Sequence, residues 1–154
     1  MDKNYEKLLK EIHKKYILLC KMKPVKIGSI PNDCPTGGVY MFSEKGQVLY
    51  VGRTKRKINI RLRGHFNTAS DCPLAWRITK DILNIPVADY KPGHGKKHIL
   101  ANKPKVRKIY QQSKDRIKNM QVKYVSEKDP LKRAILEIYA SIVSKSKYNE
   151  FKES

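Results

Sequence analysis

The chain lacks the cysteine pattern of either a disulfide scaffold or a zinc site. Cys20, Cys34 and Cys72 are odd in number, widely scattered and without Cys-x-x-Cys spacing, so reduced and at least partly buried thiols are expected. No apolar run approaches the roughly twenty residues that span a bilayer. The opening Met1-Asp2-Lys3-Asn4-Tyr5-Glu6 carries no signal-peptide pattern. These absences point away from a membrane and toward a reducing cytoplasm. Acidic residues are also scarce: 14 Asp and Glu stand against 34 Lys and Arg, a formal net charge of +20 on 154 residues. Such a field attracts polyanions and speeds their encounter at low salt. Nucleic acid is the expected partner class, although a ribosomal-type protein or a basic protein with acidic partners has the same signature.

What is present begins with two short runs of strand character. Gly38-Val39-Tyr40 and Tyr50-Val51-Gly52 flank Ser43-Glu44-Lys45-Gly46. The pattern predicts a hairpin of strands 38–43 and 47–52, with Gly46 supplying the positive φ of a three-residue loop. Pairing Ser43 with Gln47 sets Phe42 opposite Val48 and Tyr40 opposite Tyr50. The period of two then sends Val39, Met41, Leu49 and Val51 to one apolar face. Both phenols stand together on the other. By themselves they are an ordinary strand pair.

Arg53-Thr54-Lys55-Arg56-Lys57 leads into residues 58–66. Read as a helix, that stretch turns Ile58, Leu62 and Phe66 toward the core and stacks Arg61 and His65 at i, i+4 on one edge. A guanidinium grips a phosphoryl oxygen in a fork, and an imidazole shuttles or orients a proton. Arg53, Lys55, Arg56, Lys57 and Arg63 are expected nucleic-acid contacts, joined by Lys96 and Lys97 from a Pro- and Gly-containing loop over 86–103. His94 and His98 lack a third ligand nearby, so a phosphate-contacting loop is preferred there to a metal pair.

The remaining pattern places an amphipathic helix at 3–22 and an irregular approach to the first strand. A helix follows from about Asp71-Cys72-Pro73 to Leu83, carrying Leu74, Trp76, Ile78 and Ile82. Another spans 104–118, and Met120–Val125 alternates as a strand. Asp129-Pro130 opens a last helix to about Lys145, an acceptor at N-cap and proline at N1. Its buried side is expected to carry Leu131, Ile135, Ile138 and Ile142. Glu137 falls on the other side with Arg133, Ala140, Ser141 and Ser144. Alone, Glu137 reads as a solvated carboxylate paired with Arg133 at i, i+4, contributing roughly a few tenths of a kcal/mol. The fold class is α+β: a small three-stranded antiparallel sheet flanked by helices, with an N-terminal helical extension. One domain is expected over 1–154, with 1–35 preceding a core at 36–151 and an insertion at about 84–118.

Taken together, the ordered landmarks resemble the GIY-YIG nuclease family over about residues 36–151. Gly38-Val39-Tyr40 and Tyr50-Val51-Gly52 match the two half-motifs, Arg61 the catalytic arginine, and His65 the histidine one turn later. Glu137 matches the metal-binding glutamate, Asn149 the closing asparagine, and Arg53 the basic residue after the second half-motif. The resemblance implies metal-assisted phosphodiester hydrolysis by an endonuclease, with DNA favoured over RNA. One Mg²⁺, for which Mn²⁺ is a substitute, would be held by Glu137 and water. Arg61 would stabilise the developing phosphorane charge. Tyr40 is the first choice of base, its phenol needing cationic surroundings to serve near neutrality. Tyr50 would position phosphate or water and His65 would relay the proton, with base and relay left open. Gly38, Gly52 and Asn149 would hold the geometry from behind. A homodimer is implied if both strands are cut. The alternatives are a catalytically silent nucleic-acid-binding module and a basic RNA-binding protein.

Overall fold

A computed structural model describes residues 1–67, 72–85 and 103–150. They fall into two compact units, one built from Met1–Arg63 and the chain from Asn119, the other from Gly64–Lys118. The second unit therefore starts well before the insertion boundary near residue 84 read from the sequence.

In the first unit, helix α1 spans Lys3–Lys21. Its start is set by Asp2, whose carboxylate accepts from the backbone N–H of Asn4 at 2.9 Å and of Tyr5 at 3.1 Å. Strands β1 (Val25–Lys26), β2 (Thr36–Glu44), β3 (Gln47–Lys57) and β4 (Gln121–Ser126) form one sheet in the order β1-β4-β2-β3. All three pairings are antiparallel. The fold is α+β as expected, and the two-residue β1 adds a fourth strand outside β4.

The hairpin register differs from the expected one. The β2–β3 loop has two residues, Lys45 and Gly46, at φ 50° and 78°, a turn whose twist suits paired strands. Glu44 pairs with Gln47 and Ser43 with Val48, and the register then shifts so that Phe42 faces Tyr50, Met41 faces Val51 and Tyr40 faces Gly52. Leu49 is the extra residue of this bulge. Without it, the two-residue turn would send Tyr40 and Tyr50 to opposite faces, because a slip of one residue inverts a strand. The bulge restores the parity. Val48, not Leu49, consequently packs against the cluster of Val39, Met41 and Val51.

That cluster also takes Ile12 and Leu19 from α1, and Leu136 and Ala140 from the last helix, α5 (Pro130–Val143). Fully burying each large aliphatic side chain contributes about 1.5–3 kcal/mol, which fixes both helices on this face of the sheet. Asp129 caps α5 by accepting from the N–H of Lys132 at 2.8 Å. The buried side of α5 is turned from the expected one: Leu131 and Ile142 are 64% and 67% exposed, and Ile138 is exposed too, while Ile135 packs on the cluster as expected and Leu136, Ala140 and Ser141 are buried. The helix is apolar nearly all round, so periodicity could not choose a side. Contact with Val39, Met41 and Val51 does, and it turns the Leu136–Ala140 side inward with Glu137 beside it.

Helix α2 (Ile58–Arg63) follows β3 directly, and Ile58 and Leu62 are fully buried. It stops short of the expected end because Gly64, a poor helix residue, follows Arg63.

In the second unit, α3 (Pro73–Ile82) and α4 (Pro104–Lys118) pack on each other. Leu74, Ala75, Ile78, Val106 and Ile117 are buried. The Trp76 and Tyr110 rings meet edge-on at 6.1 Å. Thr79 Oγ1 satisfies itself on the Ala75 carbonyl at 2.7 Å and Ser113 Oγ at 3.1 Å. Ile82, expected on the packed side, is more than half exposed at the helix end. Cys20 is half-buried, Cys34 and Cys72 are buried, and all three are free thiols. Among the described residues no helix is long and apolar enough to cross a membrane.

Candidate active site

The site forms in the first unit, where the β3 edge, α2 and α5 converge. Tyr40 is fully buried. Its ring packs edge-on to Phe42 at 5.8 Å and tilts against Tyr50 at 6.5 Å, so the two phenols do share a face, as diagonal neighbours. Across the ladder from Tyr40 stands Gly52. A Cβ there would fall on the Tyr40 phenol, 2.5 Å from Cζ. The absent side chain is what lets the ring lie across the edge strand. Gly38 has a separate reason: its Cβ would meet the Val125 carbonyl oxygen of β4 and Ile58 Cδ1 of α2. Each half-motif glycine thus marks a close approach, one by a ring and one by a neighbouring backbone.

Arg61, on α2, donates from Nε to Tyr40 Oη at 3.2 Å. Burial pushes the Tyr40 phenol far above its ordinary range, and the neighbouring Tyr50 pushes it further. The charge of Arg61 and its hydrogen bond pull back only part of that, while Glu137 raises it again. The expected lowering of Tyr40 by cationic surroundings is therefore not what the chain alone produces. In the folded chain burial favours the neutral Tyr40 phenol, whose oxygen accepts from a guanidinium.

Glu137, on α5, meets Arg53 of β3: Arg53 Nε lies 3.2 Å from Glu137 Oε2. The pairing with Arg133 considered from spacing does not form. Arg133 instead donates Nη1 to the carbonyls of Glu127 at 3.1 Å and Lys128 at 3.4 Å. Burial pushes the Glu137 carboxyl above the ordinary carboxylate range, with Arg53 and then Arg61 offsetting part of that cost.

Asn149 holds β3 at Val51, between Tyr50 and Arg53. Its Oδ1 accepts from Val51 N–H at 2.7 Å and its Nδ2 donates to Val51 C=O at 2.8 Å. The side-chain amide pairs with the sheet edge as another strand would. Tyr148 N–H donates to Leu49 C=O at 2.8 Å just before it. Ser146, which sequence reasoning missed, donates Oγ to Asn149 Oδ1 at 2.7 Å and fixes which way the amide points. Its only signal was the spacing Ser-x-x-Asn.

Other expected residues take different places. Lys55, Arg56 and Arg63 are exposed and Lys57 is half-buried, along β3 and α2. His65 lies in a turn beyond the end of α2, not on a continuous helix above Arg61, and is buried. It belongs to the second unit. Lys96, Lys97, His94 and His98 lie outside the described residues. Among the described residues no three His, Cys, Asp or Glu side chains gather as a ready-made metal cage. Glu137 does suit an ion anchored by one carboxylate, with waters and phosphate oxygens completing the shell, as Mg²⁺ commonly accepts. No protein-family model, curated protein or solved structure matches the chain.

Proposed function

We propose that the chain is a metal-assisted DNA endonuclease of the GIY-YIG kind. The observation that supports it best is the gathering of Tyr40, Arg61 and Glu137, from β2, α2 and α5, with the Arg61 guanidinium on the Tyr40 oxygen and electrostatic coupling of both to Glu137. A binding-only protein has no need to bury a phenol against a guanidinium beside a desolvated carboxylate.

In this reading Glu137 would hold a divalent cation, which would supply charge stabilisation at the scissile phosphate and the leaving 3′-oxygen. Arg61, hydrogen-bonded to Tyr40, would stabilise the non-bridging oxygens as phosphorane charge develops. The protonated Tyr40 orients the attacking water or a phosphate oxygen. Taking a proton itself would require more positive charge than Arg61 supplies, since burial works against the phenolate. Tyr50, half-buried beside it, helps to position the same phosphate. Asn149 keeps Tyr50, Gly52 and Arg53 in register through Val51. The exposed Lys55, Arg56 and Arg63, within a net charge of +20, supply backbone contacts without base reading. One such site cuts one strand, so a double-strand break would require a second copy or a second nick.

The test is sequencing of cleavage ends from pooled single- and double-stranded DNA and RNA incubated with Mg²⁺, beside Glu137→Ala. Wild type should cut DNA, and Glu137→Ala should bind it without cutting. If both proteins bind and leave every substrate equally intact, the chain is a silent nucleic-acid-binding module and the proposal is lost.

A further inference from the structure

We infer that Arg53 is a counter-ion switch, holding the Glu137 carboxylate in the free protein and passing to the nucleic-acid phosphate when a divalent cation takes that carboxylate. The inference rests on the reading of Glu137 as the metal anchor and assigns Arg53 a role distinct from a simple phosphate contact.

Three features carry it. The contact is a direct one, Arg53 Nε to Glu137 Oε2 at 3.2 Å. The two ends are unequal: the Arg53 side chain is 48% exposed and that of Glu137 only 17%. The carboxylate is therefore the fixed member, and the guanidinium is the one able to swing. Finally, Arg53 stands on the edge strand, in line with the exposed Lys55 and Arg56. Once released, it has a polyanion to meet beside them.

A desolvated carboxylate needs a cation, and before metal arrives Arg53 is that cation. A divalent ion on the same carboxylate repels the guanidinium, so the two compete for Glu137. Nearby phosphate makes the exchange favourable, because guanidinium forks onto phosphate oxygens as readily as onto carboxylate. Arg53 would thereby weaken metal binding in the absence of substrate and strengthen the assembly in its presence. It acts as a positioning residue rather than as one that transfers a proton.

The experiment titrates Mn²⁺ into DNA-free protein and follows the free ion by electron paramagnetic resonance. Arg53→Gln should bind Mn²⁺ at least about five-fold more tightly than wild type, by loss of the competing charge. Arg53→Lys, which keeps the charge, should stay near wild type, and Glu137→Gln should lose the site. A second arm measures metal-free DNA binding. Glu137→Gln releases Arg53, so it should bind DNA more tightly than wild type, and adding Arg53→Gln should remove that gain. This readout depends on the pair and not on fold stability, which circular dichroism checks for each variant. The inference is overturned if Arg53→Gln binds Mn²⁺ no more tightly, if Arg53→Lys behaves as Arg53→Gln does, or if the DNA gain of Glu137→Gln persists without Arg53. If Glu137→Gln binds Mn²⁺ as wild type does, Glu137 is not the metal anchor and the underlying nuclease reading falls with it.

Discussion

Gly52→Ala is the sharpest test of how the site is built. The added methyl would fall on the Tyr40 phenol, 2.5 Å from Cζ and 2.8 Å from Cε2, far inside van der Waals contact. Tyr40 has nowhere to go: it is fully buried, with Phe42 and Tyr50 rings at 5.8 and 6.5 Å. Forcing extra volume into such packing costs about 1–3 kcal/mol. Gly52 is not in the left-handed region, so backbone strain adds nothing and the contact alone sets the effect. Elsewhere, a glycine-to-alanine change at a compatible φ stabilises by about 0.4–1 kcal/mol through the unfolded chain. The sign is therefore diagnostic. A urea transition followed by circular dichroism should move down by about 1 M at a slope of about 1–2 kcal/mol per M. Cleavage should fall with it, because the displaced phenol no longer meets Arg61. In a Tyr40→Leu background, where the clashing ring atoms are gone, Gly52→Ala should lose most of its cost, as a double-mutant cycle reports. An alanine variant as stable as wild type, or more so, refutes the account of Gly52. Gly38→Ala should cost more than Gly52→Ala in the same assay, since its Cβ would meet a β4 carbonyl that yields only if the β2–β4 ladder opens.

The two remaining predictions concern Glu137 and Asn149. The Glu137 carboxyl is raised in the folded state, so ionising it costs stability. That cost is absent below the unfolded value of 4.5 and grows in as pH rises through the higher folded value. Glu137→Gln should therefore raise the urea midpoint at neutral pH and leave it unchanged near about pH 4, below the ordinary carboxylate range. An unchanged midpoint at both pH values would contradict the burial argument. Asn149→Ala removes both hydrogen bonds to Val51 and should cost about 1–3 kcal/mol for the polar groups left unpaired. Native-state hydrogen exchange should show faster exchange of the Val51 amide, with the β2–β4 amides less affected.

Much of the fold could be read in advance because its signals are local. The Asp129-Pro130 cap, the helix over 104–118, the alternating strand near 121–126 and the hairpin all depend on neighbours a few residues apart. The register of that hairpin did not follow as simply. Lys45 has an ordinary side chain, and nothing nearby announces that it will take a positive φ and shorten the loop to two residues. The Leu49 bulge then compensated, so the conclusion about the two phenols survived a different pairing. The apolar stripe of Ile58, Leu62 and Phe66 predicts a helix to residue 66, whereas the helix stops at Arg63, before Gly64.

The sequence by itself determined which residue types are available for phosphate chemistry: two tyrosines in adjacent strand runs, an arginine on the following helix, a glutamate on the last helix and an excess of positive charge. It also carried both glycines, whose reason is visible only when Tyr40 and the β4 backbone are seen against them. Tertiary packing decided the partners. Helix α5 is apolar on two sides, and only the fit of Leu136 and Ala140 against Val39, Met41 and Val51 chose between them. That choice set Glu137 against β3, where Arg53 pairs with it, while Arg133 turns to the carbonyls of Glu127 and Lys128. Periodicity records that a side chain is apolar, while the selection of a buried side depends on shape across elements distant in the chain. The meeting of the Glu137 carboxylate with the Arg53 guanidinium is a consequence of that selection.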